Sequence, residues 1–294
     1  MDYELIEIKP EKRYQKLFNE LIYAAESIEK KDALSVVKQI PNIALYLTVR
    51  RIKGFCHTMH WLWKNSIVTS QEIFSNFKKG TLKQYISDVF NNCKNKTKNI
   101  TKNLSNLTKS ATKEPKDFII NYGPFFLAFA LGFNFASGGL DGDGGLPDLD
   151  LEFGIGAHRS ILSHGIIMGI TAECAIIIIS MLADIVIKKL PEEHDKFWDN
   201  VSKRKNEIIK GLMVGVGAGM AYHLTIDGTL DIKAYCDLPF KVNMITHKGI
   251  MLMQAIIEWI DIPNKKLTPK ISETKNKSNK LLQYVKDKIN KIKN

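Results

Sequence analysis

The sequence predicts an all-α protein: a multi-span transmembrane helical bundle of three to four spans, preceded by an N-terminal helical region. Three observations carry this. Apolar residues concentrate between Phe118 and Ile260 in runs long enough to cross a bilayer. One run carries glycine at positions 211, 215 and 219, a spacing that lets two helix backbones approach closely in lipid. The connections between the runs alternate in charge.

The first run, Phe118 to Ala136, has 19 residues without a charge. The second, Ser160 to Ile187, has 28 and is interrupted only by His164, Glu173 and Asp184. The third, Ile208 to Ile226, carries Lys210 and His223. A bilayer core takes about 20 apolar helical residues, so these three qualify. The fourth, Val242 to Ile260, is marginal because it holds His247, Lys248 and Glu258. The competing fold is a soluble helical protein with apolar core helices and basic ends for anionic partners; a mean hydropathy of -0.13 keeps it in view.

The flanks read differently. Residues 1–90 form a helical region, with Tyr14, Leu17, Phe18, Leu21 and Ile22 at helical spacing and Pro41 as a helix start or break. Ile43–Val49 is apolar but too short to span, and Arg50 and Arg51 close it. Cys56, His57 and His60 lack a nearby carboxylate; beside Trp61 and Trp63 they are expected as a packed aromatic–histidine cluster. Residues 91–117 are a Lys/Asn-rich connector with a thin stripe of Ile100, Leu104 and Leu107, expected to be solvated. No aromatic residue interleaves with its lysines, which disfavours nucleic acid. The membrane-embedded domain is placed at 118–260 and a basic tail at 261–294. Four well-separated cysteines exclude a disulfide framework or a zinc knuckle, and the acidic start argues against a cleaved signal peptide. High Lys, Asn and Ile use suggests an AT-rich bacterial genome.

Charge sets the expected orientation. The piece before the first run has seven basic and two acidic residues, Lys188–Glu207 has six and five, and the tail from Asp261 has ten lysines and three acids. Gly138–Ala157 has five acids and no base, and Asp227–Lys241 has three acids and two lysines. With alternating spans, the Lys-rich pieces share one side. The positive-inside rule then places the chain in the cytoplasmic (inner) membrane as a multi-pass protein, with both termini cytoplasmic and the acidic loop on the outer face.

That acidic loop is the chemical feature of the chain. Asp141, Asp143, Asp148, Asp150 and Glu152 are followed at once by His158, Arg159 and His164. Carboxylates crowded with imidazoles repel unless a proton or a cation sits between them. His223 and Asp227, at i and i+4 near the end of the third run, lie about 40° apart on a helix and reach the same side. Ser160 is expected to cap the second run, placing His164 one turn inside it. Mixed carboxylate and imidazole donors suit Zn²⁺, Mn²⁺ or Fe²⁺. The expected ligands are Asp148, Asp150, His158, His164, His223 and Asp227. Arg159 suits a phosphate oxygen. Glu173, a carboxylate in mid-span, is a functional candidate by position.

Pro147-Asp148-Leu149-Asp150, then His158-Arg159 and Ser163-His164 at the head of an apolar helix, then a glycine-rich helix closing on His223-Leu-Thr-Ile-Asp227, resembles the YdjM-like family of inner-membrane metal-dependent hydrolases. The resemblance covers about residues 138–227. It implies a multi-span helical membrane protein with these Asp and His residues as metal ligands and Arg159 among the conserved motif residues. It departs from the family pattern in three places: the two histidines are six apart rather than five, Gly165 follows the second where the family has serine, and the first run offers Asn121 and Asn134 but no histidine. A missing ligand would come from Asp141, Asp143 or Glu173. The function expected is hydrolysis of a phosphoester or related ester near the membrane surface; the alternative is a non-enzymatic membrane protein whose Asp/His metal site is structural. Asp141, Asp143 and Glu152 also match positions one, three and twelve of a calcium loop, but Gly145 and Leu146 break it.

Overall fold

A computed structural model describes residues 10–140, 144–149, 159–230, 234–238 and 241–265. The described chain is all-helical: α1 (Pro10–Glu26), α2 (Lys30–Val37), α3 (Ile40–Lys78), α4 (Leu82–Lys113), α5 (Pro115–Ser137), α6 (Ile166–Lys188), α7 (Lys196–Thr229) and α8 (Met244–Asp261), then a 3-10 turn at Ile262–Asn264. Helices α5, α6 and α7 are each long and apolar enough to cross a membrane, and α8 is not among them.

Local chemistry explains the ends. Pro41 stands in the first turn of α3, where its missing N–H costs nothing. Asp195 caps α7 by accepting from the Phe197 N–H at 2.8 Å, and Asn243 caps α8 by accepting from Thr246 at 2.9 Å. α5 ends on Gly138 in the left-handed conformation (φ 75°), which glycine adopts without strain. The connector at residues 91–117 is part of a helix, because α4 runs unbroken from Leu82 to Lys113.

α7 is the axis of the bundle. Of its apolar stretch 67% is buried, against 11% for α5 and 28% for α6. The glycine repeat is the reason α5 and α7 can meet: a Cβ at Gly211, Gly215 or Gly219 would run into the carbonyl oxygens of Phe125, Phe129 and Phe133. α5 answers with Gly132, whose Cβ would lie 2.7 Å from the Leu212 carbonyl. Two apolar clusters fill the rest. Ala136, Leu146, Val216, Met220, Leu224 and Ala255 pack near the end of α5, and Ile43 and Leu47 of α3 pack with Cys174, Ile177, Ile209 and Met213 lower down.

Two local expectations are corrected. α6 starts at Ile166, not at Ser160, so His164 sits just before the helix. The Ser160 hydroxyl is taken by Asp237 (2.6 Å), Gly165 is extended, and the Ile166 N–H is met by Gln254 Oε1 at 2.9 Å. The aromatic–histidine cluster is not packed: Cys56, His57, His60, Trp61 and Trp63 are all exposed along α3. Among the described residues no helix covers that turn.

Candidate metal centre

The site forms where the end of α5, the chain entering α6 and the last turns of α7 meet. The turn after α5 is drawn tight: a Cβ at Gly145 would lie 2.5 Å from the Gly138 nitrogen, and Leu146 N–H donates to the Phe135 carbonyl at 3.0 Å. A short turn at residues 147–149 then presents Asp148, whose Oδ2 accepts from Gly144 N–H at 2.6 Å. Its Oδ1 faces His164 Nε2 at 3.1 Å and His223 Nε2 at 3.9 Å. Asp227 Oδ2 lies 3.5 Å from His223 Nε2 and 3.6 Å from His164 Nε2. His164 and His223 are buried, as is Asp227.

The partners of the other ring nitrogens decide how the imidazoles face. Ser163 Oγ gives its proton to the Ser160 carbonyl (3.0 Å), so toward His164 Nδ1, 3.1 Å away, it accepts. His223 Nδ1 lies 3.3 Å from the Ser137 carbonyl, which can only accept. Both rings therefore carry their proton on Nδ1 and turn the Nε2 lone pair toward the carboxylates. A lone pair facing a carboxylate is repulsive without a proton or a cation between them. His223 Nε2 and Asp227 Oδ2 are buried without a hydrogen-bond partner among the described residues.

The spacing suits a metal ion. Asp148, His164 and His223 each offer a ligand atom, all within 4.8 Å of one another. A tetrahedral ion with ligands at about 2.0–2.1 Å needs donor atoms about 3.3–3.4 Å apart. The four measured separations, 3.1, 3.5, 3.6 and 3.9 Å, bracket that value. These three residues could bind a metal ion, and Asp227 Oδ2 stands beside both imidazoles.

The remaining sequence candidates divide. Arg159, held in the left-handed region (φ 66°), is buried and donates from Nη2 to Asp227 Oδ1 at 3.1 Å. Its guanidinium thus steadies one oxygen of Asp227 while the other turns inward. Asp141, Asp143, Asp150 and His158 lie outside the described residues. Glu173 is not part of this group. Two turns into α6, it accepts from Arg50 (2.5 Å) and Arg51 (3.0 Å) and pairs with Lys265.

Sequence reasoning passed over the supports. Tyr235 donates its hydroxyl to the His164 carbonyl at 2.8 Å, and Gln254 donates to that hydroxyl at 2.7 Å while its oxygen takes the Ile166 N–H. Cys236 N–H donates to the Arg159 carbonyl at 3.3 Å, and Asp237 holds both Ser160 and the Ile161 N–H. Burial pushes the Tyr235 hydroxyl pKa up, so it stays a donor. The segment between α7 and α8 clamps the ligand-bearing strand of chain from above. The only sequence signal was its acidic character. Among known proteins, no family model, no curated protein and no solved structure matches the chain.

Proposed function

We propose that the chain is a membrane-bound metal-dependent hydrolase acting on a phosphoester or related ester at the membrane surface. The observation that carries this is the convergence of Asp148, His164 and His223 from three separate elements, with Asp227 beside both imidazoles. Zn²⁺, Mn²⁺ or Fe²⁺ is the class of ion that such donors hold, and when bound it supplies an acidified water and polarises an ester oxygen. Asp148 and Asp227 provide the charge, His164 and His223 the neutral nitrogens, and Arg159 orients Asp227 beside the place a phosphate oxygen would take. The resemblance of the Asp148, His158–His164 and His223–Asp227 segments to YdjM-like hydrolases supports the same reading. The charge of the connections supports a centre on the outer face of the cytoplasmic membrane with both termini inside.

A second reading has its own observation. Asp227 stands beside both imidazoles at 3.6 and 3.5 Å, and as a fourth protein ligand it would fill a tetrahedral shell, the mark of a structural rather than a hydrolytic ion. Metal analysis of the detergent-purified protein beside Asp148→Asn and His223→Ala tests the site, with a phosphodiesterase and phosphomonoesterase assay alongside. Metal near stoichiometric in the parent and lost in both variants, together with activity, is the expected result. Metal without activity selects the structural reading, and full metal in both variants removes the site. Impermeant labelling of a cysteine placed at Leu140 reads the side.

A further inference from the structure

We propose that the first half of α3, residues 40–58, is embedded in the bilayer beside α6 and α8, with lipid acyl chains covering Ile52. Arg50 and Arg51 disguise this in the sequence. Glu173 is the eighth residue of α6 and fifteen follow it. At 1.5 Å per residue it therefore lies about 10 Å from one end of that span and about 22 Å from the other. That is inside a hydrocarbon core about 30 Å thick. Arg50 and Arg51 both hydrogen-bond to Glu173, so this turn of α3 stands at the same depth.

The charges are closed on themselves in the way lipid demands. Arg51 grips Glu258 through Nε (2.7 Å) and Nη2 (3.1 Å), and Arg50 grips Asp261 through Nε (2.8 Å) and Nη2 (2.5 Å). Lys265 reaches Glu173 from beyond the 3-10 turn. Three cations thus face three anions, all buried or nearly so, across α3, α6 and the end of α8. The spans are cut to admit them: a Cβ at Gly169 would lie 2.5 Å from Glu258 Oε1, and one at Gly217 would lie 2.5 Å from Lys265 Nζ.

Outside that network the exposed residues of the segment are Ile40, Pro41, Ile52 and Cys56, with Lys53 and His57 the polar exceptions. Ile52, beside Arg51, is 54% exposed, and α6 also exposes Ile167 and Ile179. Lys53 is exposed too, and its four-carbon stem can carry the ammonium toward the metal-centre side. About 15–18 Å beyond Arg51 stand exposed Trp61 and Trp63 beside His60 and Lys64, the composition of a membrane-interface anchor. The inference rests on reading α5, α6 and α7 as spans. It does not depend on the metal centre.

Fluorescence quenching tests it on the full chain, purified and reconstituted into phosphatidylcholine vesicles with brominated acyl chains. Cys56, Cys93 and Cys236 are replaced by serine, buried Cys174 is kept, and a bimane probe is placed on Ile52→Cys. Leu131→Cys on the exposed face of α5 is the reference. The Ile52 probe is expected to lose as much fluorescence to the bromolipid as the reference and little to aqueous iodide. Quenching by iodide and not by bromolipid would falsify the proposal by showing water at that face. Quenching by neither shows a protein cover and also overturns it. A reference at Leu131 that is itself unquenched by bromolipid sinks the spanning reading, and this inference with it. The probe on native Cys56, in the Cys93→Ser/Cys236→Ser protein, repeats the measurement with residue 52 untouched and is expected to be quenched by bromolipid as well.

Discussion

Two buried polar clusters lie two turns apart on α6, and they are built on opposite principles. The inner one sets Arg50, Arg51 and Lys265 against Glu173, Glu258 and Asp261, and its charges cancel. Among the described residues, the one at the head of α6 sets Asp148 and Asp227 against Arg159, and adds two imidazole lone pairs. The first is balanced in charge, with Arg50 Nη1 its one donor lacking a hydrogen-bond partner among the described residues. The second is short of positive charge at its centre, which is the condition for binding a cation. Burial and ionisable side chains by themselves therefore do not mark a ligand site. The balance of donors, acceptors and charge does.

The contrast can be broken at several points. The largest effect is expected from Glu173→Ala, which leaves three buried cations against two anions and takes from Lys265 its nearest partner: about 3–5 kcal/mol of stability lost, read as thermal unfolding in detergent. Arg51→Met should cost a comparable amount, and the pair Arg51→Met/Glu258→Met should recover much of it, because removing both partners leaves no stranded charge. A double variant no more stable than the single would mean that the two side chains do not act as a pair.

At the head of α6 the order reverses. His223→Ala should abolish metal binding while unfolding close to the metal-free parent, because the apo cluster has little attraction to lose. Chelation should likewise lower the thermal midpoint of the parent and leave that of His223→Ala where it was. A smaller effect is expected at the support. Tyr235→Phe removes the hydroxyl held between the His164 carbonyl and Gln254, and metal affinity should fall about 10–100-fold with the fold intact. Unchanged affinity would mean the clamp does not orient His164.

The smallest effect concerns the start of α7, far from both clusters. Asp195 caps the helix and pairs with Arg13, whose hydrogen bond holds its carboxyl pKa below the ordinary range. Asp195→Ala should cost about 1 kcal/mol at neutral pH. A depressed carboxyl contributes its stability above its unfolded pKa and loses it as pH falls through the folded one. The difference between parent and variant should thus shrink as pH drops below about 4. A gap that persists at low pH would assign the effect to packing.

Much of the bundle was legible in the chain. Phe118–Ala136 and the glycines at 211, 215 and 219 needed only length, apolar content and a four-residue period to predict spans and a close crossing, because those properties belong to a single helix. Half of the centre was legible as well, since His223 and Asp227 share a helix face whatever surrounds them. Arg50, Arg51, Glu173, Glu258 and Lys265 were not. Each looks like an interruption or an isolated charge, and its partner is more than ninety residues away. The same applies to Tyr235 and Gln254, which take their meaning from the His164 carbonyl.

By itself, then, the sequence determined the helical class, the three apolar stretches, the glycine seam and the residue types able to hold a metal. Each follows from local periodicity or composition. Only the tertiary structure decided that Asp148, His164 and His223 meet, with Asp227 beside the imidazoles, while Glu173 turns to the arginines of α3. Charge pairing depends on which donors and acceptors come within about 3 Å of one another. No spacing along the chain records that distance.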